Sequence, residues 1–298
     1  MREYAIISDS ACALSKENRE KYDVDYVLLR ILFNDKDLPA DLDYKDVPYE
    51  TFFKMLKDGV KIKTSQANVS DYIAKFEPVI KDGKDILYVG VSSALSASYK
   101  CSVEASKILN EKYPEAKVIC IDTKMGGLGL GLLCMTASLL RKEGKDIEEV
   151  ANYIEEHKQE MNQCGTVDDL VYLKRSGRIS FASAFFGGLL QFKPIVISDV
   201  TGMNTAIEKV KGRKKSLDRM IEIFKETYIK HPIYPKVHII NAVCEDAVEY
   251  LKQQLVEYDS TLEIEVDIMD PIVGSSTGPG MVCLYYFGKE VTYDHTKK

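Results

Sequence analysis

The sequence predicts an α/β protein of two domains, an N-terminal domain on a parallel sheet and a C-terminal α/β domain with a mixed sheet. Three observations carry this. The chain has 298 residues, room for two domains at roughly 150 residues each. Its first half alternates short β-rich runs with helical patterns, the arrangement of a parallel sheet with helices on both faces. Its second half is organised differently, with two strand-like runs facing each other across a Thr201-Gly202 turn. The change of character near Gly144 sets the expected domains at residues 1–144 and 145–298.

Taken in order, residues 4–7 read as a strand, 15–22 as a helix and 26–32 as a strand. Residues 48–57 read as a helix with Pro48 near its start, where a missing N–H costs nothing. A helix at 69–80, a strand at 86–91, a helix at 97–111, a strand at 117–121 and a helix at 127–141 complete the first half. The second opens with a helix at 146–161, Glu and Lys on its outer face, and leaves 166–175 unassigned before a Gly- and Phe-rich stretch at 181–192. Strands at 194–198 and 206–210 pair, and a helix covers 216–229. Strand, helix and strand follow at 237–241, 246–258 and 262–268, then a last strand at 281–287.

Composition narrows the function. Apolar residues make up 45% and charged residues 29% of the chain, an ordinary globular balance. A net charge of -6 argues against nucleic acid and against an anionic membrane surface, both of which need clustered cations. Lys211, Arg213, Lys214 and Lys215 read as a solvated helix start. The seven cysteines form no Cys-x-x-Cys pair, and no Cys/His cluster has metal spacing. Free thiols in apolar segments imply a reducing, cytoplasmic setting. The first residues lack the apolar region of a signal peptide. The longest apolar run, 125–140, is Gly-rich and shorter than the roughly 18 residues of a membrane span, so it reads as a buried helix.

Four polar segments stand at predicted strand ends, where ligands of open parallel sheets bind. Asp9-Ser10 reads as a helix cap. Lys63-Thr64-Ser65-Gln66 precedes a helix and is open between capping and holding a carboxylate with its hydroxyls. Ser92-Ser93-Ala94-Leu95-Ser96-Ala97-Ser98 has more hydroxyls than a cap needs, which favours an anion site. Asp122-Thr123 leads into Gly126, Gly127, Gly129 and Gly131, whose spacing fits no Gly-x-Gly-x-x-Gly register; those glycines read as close helix packing. No P-loop is present, so no nucleotide cofactor is expected. Gly274-Ser275-Ser276-Thr277-Gly278 matches a nucleophile-elbow pattern, but only Asp294 and His295 follow it and Pro279 suits a turn, so a serine hydrolase using Ser276 is a remote alternative. None of the four histidines is assigned a catalytic role.

Asp9-Ser10, Lys63-Thr64-Ser65-Gln66, Ser92-Ser93-Ala94-Leu95-Ser96, Asp122-Thr123, Leu173-Lys174-Arg175-Ser176-Gly177-Arg178-Ile179 and Gly278-Pro279-Gly280 occur in that order. The ordered set, spread over nearly the whole chain, resembles the DegV family, which includes the FakB subunits of bacterial fatty acid kinase. The resemblance implies a two-domain α/β protein with one long-chain fatty acid between the domains. It implies a carboxylate held by Thr64 and Ser96, with Ser65 and Ser93 beside them, and no catalytic residue or metal in this chain. The chemistry, acyl-phosphate formation, would come from a partner kinase subunit, which Arg175 and Arg178 would serve together with the phosphoryl group. A lipid-binding protein without a kinase role is the other reading. The chain departs from the family at Ser276, where a His is usual in Gly-x-His-x-Gly-Pro-Gly; Ser276 is expected in the turn before the last strand, near the ligand head group. Phe181, Phe185, Phe186, Leu189, Leu190 and Phe192 are the expected lining of an acyl tunnel. Each buried CH₂ gains about 0.8 kcal/mol, so the chain sets affinity and the hydroxyls set orientation.

Overall fold

The computed structural model describes residues 2–181 and 192–297. The chain packs as two units. The first comprises residues 1–46, 64–158 and 270–272, and the second comprises 47–63, 159–269 and 273–298.

In the first unit, β1 (Tyr4–Asp9), β2 (Val24–Val27), β6 (Asp85–Gly90) and β7 (Val118–Asp122) form a parallel sheet in the order β2-β1-β6-β7. Every residue of β6 is buried, as expected where helices cover both faces. On one face, Tyr72, Phe76 and Ile80 of α3 (Val69–Lys81) and Ala105 and Leu109 of α4 (Ser98–Lys112) pack on Ile7, Ile86, Tyr88 and Val118. On the other run α5 (Leu128–Lys142), almost wholly buried, and α6 (Ile147–His157). The sequence reading gave α6 to the second domain, but α6 packs on α5, β6 and β7.

The helix starts follow from local chemistry. Ser15 accepts from Asn18 N to cap α1 (Lys16–Tyr22). Asn68 with Asp71, and Asp146 with Glu149, form reciprocal capping boxes for α3 and α6. The glycines at 126–131 pack α5 closely, as expected: a Cβ on Gly131 would lie 2.4 Å from the Cys12 carbonyl oxygen.

The expected strand at 26–32 is two strands. The chain leaves β2, enters β3 (Arg30–Phe33) and turns through Asn34 and Asp35 into β4 (Lys36–Pro39). Both turn residues have positive φ, +48° and +57°, as a two-residue hairpin demands. β5 (Lys63–Ser65) completes this small sheet in the order β4-β3-β5.

The second unit carries α2 (Tyr49–Lys57) and a seven-stranded mixed sheet. Its strands are β8 (Met161–Thr166), β9 (Ile179–Phe181), β10 (Phe192–Ser198), β11 (Asn204–Lys211), β12 (Val237–Asn241), β13 (Ile264–Ile268) and β14 (Val282–Phe287). They lie in the order β13-β12-β14-β8-β10-β11-β9. β10 and β11 pair antiparallel, as expected. The helix expected to 161 stops at His157, and the chain enters β8 instead. On one face, α8 (Arg213–Thr227) and α9 (Glu245–Tyr258) bury Met220, Phe224, Leu251 and Leu255 against Ile195, Val237, Ile239, Leu284 and Tyr286. Two short helices escape the sequence reading, α7 (Leu170–Ser176) and α10 (Pro271–Thr277). Both start at an Asp that accepts a backbone N–H two residues on: Asp169 from Val171, and Asp270 from Ile272.

Candidate functional site

The order β2-β1-β6-β7 reverses between β1 and β6, and at such a point open α/β sheets leave a crevice at the carboxyl ends of their strands. Asp9 ends β1 at this place. It is fully buried, and its carboxyl accepts from Ala11 N at 3.0 Å, Val91 N at 3.0 Å and the Tyr88 hydroxyl at 2.7 Å. Burial raises its pKa above the ordinary carboxyl value, against the pull of these three donors. Ser10 accepts from Leu29 N at 2.9 Å. Asp9 and Ser10 therefore do not cap α1, which Ser15 does. They tie the end of β1 to the ends of β6 and β2.

The serine segment after β6 divides its work. Ser92 accepts from Ala94 N at 3.2 Å. Ser93 is exposed, and its hydroxyl donates to Asp122 at the end of β7. Burial works against ionisation of Asp122, but bonds from Lys124 (2.6 Å) and Ser93 outweigh it and hold its pKa below the usual carboxyl value. Ser96 is half-buried; its hydroxyl accepts from Ser98 N at 3.1 Å and bonds the Ser98 hydroxyl at 2.9 Å. Thr123 ties β7 to β6 by donating to the Gly90 carbonyl at 2.7 Å.

Thr64 and Ser65 lie on β5, Thr64 half-buried and Ser65 exposed. The choice left open for this segment is narrowed, because Asn68 and Asp71 do the capping of α3. Among the described residues neither the Thr64 nor the Ser65 hydroxyl has a hydrogen-bond partner. The N-termini of α3 and α4 lie side by side: the two helices pack on each other, and Gln66 Nε2, just before α3, reaches Cys101 Sγ in the first turn of α4 at 3.5 Å. Two helix dipoles thus present their positive ends at the edge where Ser96 stands. A surface cavity of about 450 Å³ lies at the opposite, amino end of the sheet, lined by Tyr4, Asp23, Arg141 and Lys145 among others, away from these groups.

The other residues singled out in the sequence are in the second unit. Ser276 is not in the turn before the last strand. It is the sixth residue of α10, and the turn is Gly278-Pro279-Gly280. A nucleophile elbow needs its serine at the entry of a helix, which this is not. The histidines have other partners: His157 stacks on Tyr153, His231 on Phe287, His238 bonds Asp267 and Tyr234, and His295 bonds Asp199. Gly278 and Gly280 have φ of +73° and +84°, and a Cβ on either would strike Tyr172 or Asp168.

Arg175 and Arg178 are exposed at the end of α7, where Gly177 (φ +64°) makes the expected turn. Arg175 lies 5.2 Å over the Tyr172 ring, and Arg178 Nη1 donates to the Ser176 carbonyl at 2.7 Å. Of the expected tunnel lining, Phe185, Phe186, Leu189 and Leu190 lie outside the described residues, as does the side chain of Phe181. Phe192 is half-buried beneath Lys209.

The sequence reading missed Arg213. It begins α8 inside the basic run taken as solvated, yet Nη2 donates to the Gly280 carbonyl at 2.7 Å and Nη1 lies 3.6 Å from Asp168. The run of cations masked it. Among the described residues no His/Cys/Asp/Glu group has the geometry to hold a metal, no helix is long and apolar enough to cross a membrane, and all seven cysteines are free.

Residues 3–289 match the model of a family described as "Uncharacterised protein, DegV family". A DegV domain-containing protein of Clostridium perfringens is 34% identical over 288 residues, 97% of this chain and 98% of that protein. Among solved structures, a DegV family protein from Thermus thermophilus, reported for its fatty acid binding, superposes with a TM-score of 0.85 at 23% identity, over 97% of this chain and all of that one. A DegV lipid-binding protein from Thermotoga maritima gives 0.82 at 25% identity, over 97% and 100%. A stearic acid-binding protein from Eubacterium ventriosum gives 0.82 at 24%, over 95% and 97%.

Proposed function

This chain belongs to the DegV family, and from that membership we propose that it binds a long-chain fatty acid and presents the carboxylate to a partner kinase. The observation that carries the binding reading is the pairing of the α3 and α4 N-termini beside hydroxyls not spent on capping α3. Thr64 donates to the carboxylate, with Ser65 beside it, and Ser96 is the second hydroxyl of the head-group site. Ser93 braces Asp122 rather than donating, because its one proton is already used there. Solved structures described as a DegV lipid-binding protein and a stearic acid-binding protein support the ligand class. The protein itself supplies no chemistry in this reading; Arg175 and Arg178 face the kinase or the transferred phosphoryl group, and Ser276 occupies the place of the family's His.

Binding is tested by titrating palmitate and hexadecan-1-ol into the protein. Palmitate should bind tighter than the alcohol, and Ser96→Ala should narrow the gap. Equal affinity for both ligands would mean that no carboxylate site exists. The kinase role is tested by acyl-phosphate formation with a cognate kinase, where Arg178→Ala should lower turnover and leave lipid affinity intact. If the wild-type protein binds lipid but supports no turnover, the second reading, a lipid-binding protein without a kinase role, takes its place; the neutral Ser276 in the His position is what favours it.

A further inference from the structure

The cavity at the amino end of the parallel sheet differs in charge from the protein around it. Its volume is about 450 Å³, within the roughly 300–1,000 Å³ of small-molecule sites. Five of the residues lining it are Lys or Arg and two are Asp or Glu, in a chain where acids outnumber bases by 46 to 40. Every lining residue belongs to the first unit.

Three of the five cations are matched. Arg141, near the end of α5, holds Asp23 at 3.0 Å. Arg2 holds Asp85 at 3.2 Å, and Lys84 stands 3.9 Å from Glu3. Lys142 and Lys145 are left. Lys142 donates to the Lys21 carbonyl at 2.7 Å and lies over the Tyr22 ring, and neither group has a formal charge. The half-buried Lys145 side chain has no hydrogen bond or ion pair among the described residues.

The groups that would oppose an anion here are occupied. Asp146 and Glu149 accept each other's backbone N–H in the capping box of α6. Glu143 is exposed and is not part of the lining. The C-terminus of α1 ends at this place, and bare helix carbonyls repel anions. They are covered: Lys142 bonds that of Lys21, and Ser138 and Arg141 bond that of Tyr22. Arg141 also donates to the Tyr4 carbonyl at 3.1 Å, which fixes the floor of the cavity.

We propose that this cavity binds a small phosphorylated molecule, its phosphate taken by the ammonium groups of Lys142 and Lys145. The two unmatched charges equal those of a phosphate monoester near neutral pH, whose second pKa is about 6. A single carboxylate would balance only one of them. Lysine binds phosphate as a point charge, so no fork geometry is needed. The volume exceeds that of a phosphate ion and leaves room for an organic part. The site lies at the far end of the sheet from Thr64 and Ser96 and does not depend on the fatty acid reading.

The test is calorimetry with AMP and glycerol 3-phosphate at constant ionic strength, with adenosine and glycerol as the uncharged counterparts. At least one ester should bind the wild-type protein, and its counterpart should not. Lys142→Gln and Lys145→Gln should each weaken the ester by roughly tenfold or more, the lower end for a hydrogen bond to a charged group. Lys145→Gln breaks no contact among the described residues, so it should melt like wild type and keep the test open if Lys142→Gln fails to fold. Palmitate should not displace the ester. No binding of either ester overturns the proposal, as does binding that Lys145→Gln leaves undiminished or that palmitate abolishes.

Discussion

Replacing Thr64 by Val removes one hydroxyl and almost no volume. Val is also β-branched and suits the strand β5. Among the described residues the Thr64 hydroxyl has no partner, so the exchange orphans no group in the free protein. Folding stability should therefore stay within about 0.5 kcal/mol of wild type, the range of substitutions that break no specific feature. Ligand binding should behave differently. A hydrogen bond to a charged group is worth about 1.5–3 kcal/mol, which converts to a loss of roughly 10- to 150-fold in affinity for a fatty acid. The assay is displacement of a fluorescent fatty acid, run beside thermal melts of both proteins and repeated with the matching fatty alcohol. The alcohol carries no charge, so its affinity should fall far less. If fatty acid affinity is unchanged, or if acid and alcohol lose equally, Thr64 does not hold a carboxylate.

Other perturbations test other parts of the account. Gly131→Ala places a methyl 2.4 Å from the Cys12 carbonyl oxygen, so it should cost about 1–3 kcal/mol, read as a lower denaturant midpoint. Asp122→Asn should destabilise at neutral pH by about 1–3 kcal/mol, because the ionised form holds Lys124 and Ser93. The pKa of Asp122 is lowered on folding, so its contribution is present above the unfolded carboxyl pKa and lost as the pH falls through the folded one. The gap between variant and wild type should accordingly close in acid, and a gap that persists there would refute the charge-based reason. Ser276→His should raise acyl-phosphate formation with a cognate kinase; unchanged turnover would mean that the departure at this position is neutral for the kinase role.

The periodic parts of the fold were legible. β1, β6 and β7 with α3, α4 and α5 read from alternating apolar runs within a residue or two, because buried parallel strands and amphipathic helices write their periods plainly. β8 was not legible. Its sequence Met-Asn-Gln-Cys-Gly-Thr lacks β-branched residues except at the last position, and its place between β14 and β10 comes from pairing with distant segments. The β3–β4 hairpin did carry a signal, the Asn34-Asp35 pair, inside what was taken as a single strand and its following loop.

The candidate site divides along the same line. The hydroxyl-rich segments were found because surplus serines and threonines stand out locally. What each hydroxyl does depends on partners far along the chain. Asp9 looked like a cap but bonds Val91, 82 positions away. Ser93, expected beside the carboxylate, donates to Asp122, 29 positions away. Arg213 vanished into a basic run because its partner, the Gly280 carbonyl, is 67 positions later.

The central claim is that this protein holds a long-chain fatty acid, and native mass spectrometry of the freshly purified protein tests it most directly. The account predicts a mass excess equal to a fatty acid, removed by organic extraction and restored by adding palmitate. A protein that stays at the mass of its own chain, and takes up no added fatty acid, would contradict it.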